Sequence, residues 1–290
     1  MDTVVFALLA GAAFGGLNVA IMHGVRRRPD VTAGTLVVML VSLPVMLAVT
    51  LVRDDAGDFG ELALWAFLFV GLLVPGAAQL VVGQAFRLAG ASRAGLLLGI
   101  TPLVSAVIAI AVFGEPLRAG LIVGTVLIVA GGVALAWEPD RPKHFAPTGL
   151  VLAGAVAVMF GVRDNAVRWL SVDVTGSPQA AATVTFVGAV LIVTIVLITR
   201  KSATRRTGRV ALAFWPFVPA GIMTALGTIL LFEALARGRV TVAAPLIATA
   251  GLWTIAFAAV FFGATEKIGL RIVLVAVLIV AGGVLIGLTR

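Results

Sequence analysis

Arg163, Asp164 and Asn165 stand in a row at the end of an apolar run that begins at Gly149, and Arg168 follows one turn later. The clean apolar stretch, Gly149 to Val162, is 14 residues long. That is about 21 Å at about 1.5 Å per residue, against the roughly 30 Å of hydrocarbon that a membrane-crossing helix must span. A helix crossing there has to carry the charges in with it. An ionised group at such depth costs several kcal/mol unless it meets water or a partner, so its first reading is functional. Arg163 can receive a carboxylate through its planar guanidinium, and Asp164 can exchange a proton.

Asn18 lies in the first apolar run, Gln79 and Gln84 in the third, Arg87 one position past Phe86, and Glu233 one position past Phe232. With Arg163 and Asp164 these are the candidate lining of a substrate cavity. Asp164 and Glu233 are the two carboxylates placed to couple transport to protons. A second reading stands beside this one. Arg87, Glu233 and Arg168 lie near the ends of their runs, where long side chains snorkel to the headgroups, and Asn18 sits in a Gly-rich helix where it can bond a neighbouring backbone. Gly99, Pro102, Pro216, Pro219 and Pro245 either break helices around a site or kink them for packing.

Other chemistries find no residues. The chain has no cysteine, and its two histidines, His23 and His144, fall in predicted loops. No H-E-x-x-H pair and no G-x-x-x-x-G-K-[ST] phosphate loop occur, so neither a metalloprotease-like site nor ATP hydrolysis is indicated. No metal and no cofactor are expected, and the chain does not read as an enzyme.

The elements that position these residues follow from composition. Of 290 residues 61% are apolar and 12% charged, with a mean hydropathy of +1.17. A soluble domain carries about a quarter charged residues, and this chain cannot make such a surface. Its net charge of +8 sits mainly in short loops, where it marks membrane topology rather than a nucleic-acid partner. Ten segments are long and apolar enough to cross: roughly 3–22, 31–52, 62–86, 94–113, 117–137, 148–170, 180–199, 210–236, 240–262 and 268–288. They lack the alternation of barrel strands. The expected fold is an all-α polytopic membrane protein whose partner is the lipid bilayer. The first span has no basic residues before it and reads as a retained helix.

An internal repeat organises the ten. Leu127 to Val133 reads LIVAGGV and recurs identically as Leu278 to Val284, 151 residues later. Phe14-Gly15 is matched by Phe160-Gly161, and Glu115 by Glu266. Five spans per unit is an odd number, so the second copy enters the membrane from the opposite face. The ten helices form two inverted five-helix repeats, with residues 1–137 as the first, 138–147 as a connecting loop and 148–290 as the second. Under this alignment Asp164 matches Asn18, and Glu233 matches Arg87, which suggests an Arg87–Glu233 contact. Glu115 and Glu266 read as caps of the helices they precede. Gly120-x-x-x-Gly124 and Gly283-x-x-x-Gly287 read as sites of close helix contact.

Gly90, Ala91, Ser92, Arg93 and Ala94, then Thr101-Pro102-Leu103, Phe113-Gly114-Glu115 and Gly131-Gly132, together with Pro245, Glu266 and Gly282-Gly283, carry a family likeness. The chain resembles the EamA-like group of the drug/metabolite transporter superfamily, over essentially its whole length. It departs in having Ala264-Thr265 before Glu266. The resemblance implies a secondary transporter that moves a small organic metabolite or drug-like solute by alternating access. It also implies that spans five and ten join the halves at the periphery, while spans one, three, four, six, eight and nine surround the cavity. A channel or a membrane scaffold without carrier activity is the alternative, and association of two copies stays open.

Lys and Arg number 14 in the odd-numbered loops and 7 in the others. The positive-inside rule then puts both termini outside, against the usual orientation of the family. Composition suggests the plasma (inner) membrane of a prokaryote.

Overall fold

The computed structural model describes residues 2–28, 31–89, 94, 97–136, 147–174, 176–199, 204–262 and 270–289, and these are helical almost throughout. The helices are α1 (Thr3–Arg27), α2 (Val31–Val52), α3 (Phe67–Gly71), α4 (Ala78–Ala89), α5 (Thr101–Phe113), α6 (Ala119–Ala136), α7 (Thr148–Asp173), α8 (Pro178–Thr199), α9 (Thr204–Arg237), α10 (Val240–Ile247), α11 (Ala250–Phe262) and α12 (Leu270–Thr289). The third apolar run is a composite. A 3₁₀ turn (Leu62–Ala66), α3, a π-helical stretch (Leu72–Ala77) and α4 follow one another, with Val74 in extended geometry just before Pro75.

Among the described residues, seven segments are long and apolar enough to cross a membrane: Thr3–Arg27, Ala33–Val52, Leu62–Val82, Thr148–Asp173, Pro178–Val196, Leu212–Arg237 and Val240–Phe261. Three more apolar helices, Thr101–Phe113, Ala119–Gly131 and Val277–Ile286, are shorter. They occupy the places expected for spans four, five and ten. The fourth is shortened because the chain turns at Gly99 and Ile100 before α5 begins.

The two halves are interleaved. α1 packs on α9, α10 and α11, and α7 packs on α3, α4 and α5. α2 packs on α9, and α8 on α3 and the π-helical stretch. α6 lies against α12, α2 against α8, and α5 against α10. Each of these pairs joins a helix of the first half to one of the second. Exchanging the halves returns the same scheme, as a duplicated unit requires.

Small residues let the helices approach. A Cβ on Gly71 would collide with the Thr185 carbonyl, and one on Gly188 with the Leu68 carbonyl. The ring of Phe217 fills the space left by both Gly24 and Gly34. On α6, Gly120 and Gly124 face Thr289 and Ile286, while on α12 Gly282, rather than Gly283, meets the Gly124 carbonyl. Close packing of this kind replaces hydrophobic burial as the cohesive force between helices in lipid. The outer faces accordingly expose large apolar side chains, among them Phe69, Val107, Val151, Val260 and Leu288. In water such a surface would be a liability; against acyl chains it is at home.

Candidate functional site

Two helix breaks define the site. In the fourth span the turn at Gly99–Ile100 precedes α5, and in the ninth the turn at Ala248–Thr249 separates α10 from α11. Pro102 has no N–H to give the Leu98 carbonyl; the Thr101 hydroxyl donates to it instead, at 2.7 Å. At the second break the Thr249 hydroxyl donates to the Leu246 carbonyl, also at 2.7 Å. A threonine thus bonds the carbonyl three residues back at each break, from the first residue of α5 in one half and from within the turn in the other.

Both breaks border one cavity of about 370 Å³. Leu98, Gly99, Thr101 and Pro102 line it from the first, and Ala244, Ile247, Ala248 and Ala250 from the second. Asn18 of α1 and Arg163 and Asp164 of α7 form the polar side, with Phe160 of α7 beside them. Ile128 and Val129 of α6 also contribute, so the fifth span, expected at the periphery, reaches the cavity wall.

The polar groups are arranged by two matching helix crossings. A Cβ on Gly15 would come within 2.5 Å of the Trp253 Cβ, and one on Gly161 within 2.8 Å of Val104. Only glycine permits these approaches. Three residues on, Asn18 Nδ2 donates to the Thr254 hydroxyl at 3.0 Å, and the Ser105 hydroxyl donates to Asp164 Oδ2 at 2.8 Å. The expected match of Asn18 with Asp164 therefore extends to their partners.

Asp164 is 4% exposed. Its Oδ1 accepts from Arg163 Nε at 2.9 Å and lies 2.8 Å from Arg163 Nη2. The guanidinium also sits over the Phe160 ring, 5.1 Å from its centroid. The buried carboxylate is thus neutralised by its own neighbour, which is what a low-dielectric setting demands. Asn165 supports the crossing: its Nδ2 donates to the Ser105 and Gly161 carbonyls at 3.0 and 2.9 Å. Its buried Oδ1 has no partner among the described residues.

Glu233 belongs elsewhere. It is 2% exposed and is held by Gln179, by Arg237 one turn on, and by Arg53 at 3.6 Å. Gln179 opens α8 and Arg53 follows α2, so Glu233 lies at the end of the bundle that carries Thr3 and Thr289. The expected Arg87–Glu233 contact is not among the bonds of the described residues. Arg87's side chain lies outside the described residues, but Leu88 and Ala89 pack against Gly149 at the start of α7, the opposite end. An inverted repeat explains this. If the repeats are inverted as expected, a half-turn between them brings matching residues at mid-helix together, as with Asn18 and Asp164, and sends those near helix ends to opposite ends of the bundle. Gln79 and Gln84 are exposed on α4 and are not among the described lining residues.

Two groups near span ends turn out to cap other helices. Arg168 Nη1 donates to the Leu235 and Ala236 carbonyls at 3.2 and 2.8 Å, where the dipole of α9 favours a cation. Glu115, expected to cap the helix it precedes, instead accepts from the backbone N–H groups of Val240 and Thr241, at the start of α10. Glu266 lies outside the described residues. Ser105, Thr254, Gln179 and Arg53 were not singled out by sequence reasoning. Ser105 and Thr254 carried a signal, since hydroxyls in apolar spans need acceptors, but their partners depend on helix pairing.

A family model describes both halves separately, at residues 2–137 and 147–288. The chain belongs to the EamA-like transporter family. That is a family of membrane transporters within the drug/metabolite transporter superfamily, and the match spans both repeats. Among solved structures, one crystal structure of a protein 21% identical in sequence covers 99% of this EamA-like chain and 96% of its own, with a TM-score of 0.80. It is evidence for the fold. No curated protein matches significantly.

Proposed function

We propose that this EamA-like protein is a secondary transporter that moves a small organic metabolite or drug-like solute by alternating access between two inverted five-helix repeats. In this reading all ten helical segments cross the bilayer, and the cavity bounded by Asn18, Arg163 and Asp164 is the substrate site. One observation carries it: broken helices in corresponding places of the two halves border a single cavity. Breaks of this kind free backbone polar groups that lipid cannot satisfy; a threonine hydroxyl takes up one carbonyl at each, and such breaks occur where the backbone is buried in protein or lines a site or a watery path.

The cavity is apolar apart from one side. Asp164 already balances Arg163, so an uncharged solute with a hydrogen-bonding head suits it, and a solute carboxylate would be received by Arg163 Nη1. Asp164 is the carboxylate through which proton coupling would act. Glu233 lies apart from the cavity and serves as a structural clamp. The excess of Lys and Arg in the odd-numbered loops favours an orientation with the Thr3 and Thr289 end outside.

Ligands found by thermal stabilisation in detergent, then assayed for flux in reconstituted vesicles, test this reading. Saturable flux that is lost in Asp164→Asn, with the variant still folded, is the expected result. Flux that never saturates would indicate a channel, and flux unaffected by Arg163 and Asp164 substitutions would remove the assigned site.

A further inference from the structure

The short link between α5 and α6 grips the other half of the molecule. Gly114 ends α5 in the left-handed region, with φ of 66°, and turns the chain so that Glu115 reaches α10. One carboxylate oxygen accepts the Val240 N–H at 2.8 Å; the other accepts the Thr241 N–H at 3.0 Å and the Thr241 hydroxyl at 2.6 Å. Arg118, three residues on, donates to the Thr289 carbonyl of α12 at 3.0 Å. The residue that precedes α10, Arg239, offers no side-chain cap of its own. The opening turn of this cavity-lining half-helix is therefore tied down by a carboxylate from the opposite repeat.

We propose that Glu115 and Thr241 form a reversible latch that holds the cavity shut at the end of the bundle carrying Thr3 and Thr289. The proposal rests on the carrier reading above. Ala244 lies on α10 one turn beyond Thr241, is 5% exposed and lines the cavity. Access from that end requires α10 to part from the 114–118 link, which breaks all three bonds together. Each such bond is worth about a tenfold shift in an equilibrium, and the freed N–H groups and carboxylate would meet water at the membrane surface. The latch is thus strong enough to bias the two states and weak enough for a bound solute to overcome.

The absence of cysteine makes the test direct. Ala244→Cys supplies the sole thiol, and a membrane-impermeant maleimide is applied to one face of oriented vesicles at a time. From the face carrying Thr3 and Thr289, labelling should speed at least about tenfold when Thr241→Val or Glu115→Gln is added, and further with Glu115→Ala. Elution and thermal unfolding report whether each variant is folded. Unchanged labelling from that face in the folded variants, with ready labelling from the opposite face, would overturn the latch and leave the carrier reading standing. A thiol that no variant exposes to either face would overturn both.

Discussion

Asn18 donates to Thr254 across 3.0 Å, and this bond ties the first helix of one repeat to the ninth span, which belongs to the other. Its counterpart is the bond from Ser105 to Asp164 at 2.8 Å. Each stands three residues past a glycine, Gly15 or Gly161, that lets the two backbones cross closely. The cavity is thus built from one interaction used twice, with a neutral amide in one copy and a carboxylate in the other.

The glycine crossings should be intolerant of a methyl group. Gly15→Ala and Gly161→Ala place a Cβ 2.5 and 2.8 Å from neighbouring carbons, and overpacking of this degree costs about 1–3 kcal/mol. Gly57→Ala meets nothing within 4 Å and should be close to neutral. Thermal unfolding in detergent compares the three.

Arg163 and Asp164 should be energetically coupled. Removing one partner of a buried pair strands the other and costs about 3–5 kcal/mol, whereas removing both is much less harmful. Arg163→Met and Asp164→Leu are each expected to lower stability markedly, and the double variant to recover part of the loss. Additive effects in a double-mutant cycle would show that the two groups are solvated independently.

Much of the fold was legible because the bilayer imposes simple rules. Length and apolarity located the helical segments, and the LIVAGGV duplication exposed the repeat. The polar stretch from Arg163 to Asn165 was legible for the same reason, since the apolar run before it is too short. Pairings were less accessible. Glu115 precedes α6 in sequence but caps α10, because the interleaved packing brings a second-half helix beside the first-half link. Arg87 and Glu233 were matched as repeat positions and expected to be neighbours, but the segment holding Arg87 lies by Gly149 and Glu233 lies at the other end of the bundle, as an inverted relation between the repeats would place residues near helix ends. Gln179 and Arg53 could not be identified as Glu233's partners without knowing that α2, α8 and α9 meet.

Glu233 should behave as a clamp rather than a coupling group. Glu233→Gln retains an acceptor for Gln179 but gives up the ion pairs with Arg53 and Arg237. Both arginines are well exposed, at 58% and 42%, so screening by water limits the loss to about 1 kcal/mol. The expected outcome is a modest drop in thermal stability with flux, and its dependence on a proton gradient, preserved. Loss of gradient dependence in this variant would move the coupling role to Glu233.

Arg168→Ala should loosen the end of α9. It removes bonds to two terminal carbonyls, and a charged cap there is worth about 1–2 kcal/mol. Hydrogen exchange should quicken at amides around Leu235 to Gly238, with little change around Asn18.

A carrier of this design must pass solute through the seam between the repeats. Vesicles containing the purified protein, given a ligand that stabilises it against heat, should show saturable uptake and counterflow, both abolished by Asp164→Asn while the variant remains folded. Uptake that rises linearly with concentration, or that persists unchanged in the folded variant, would contradict it.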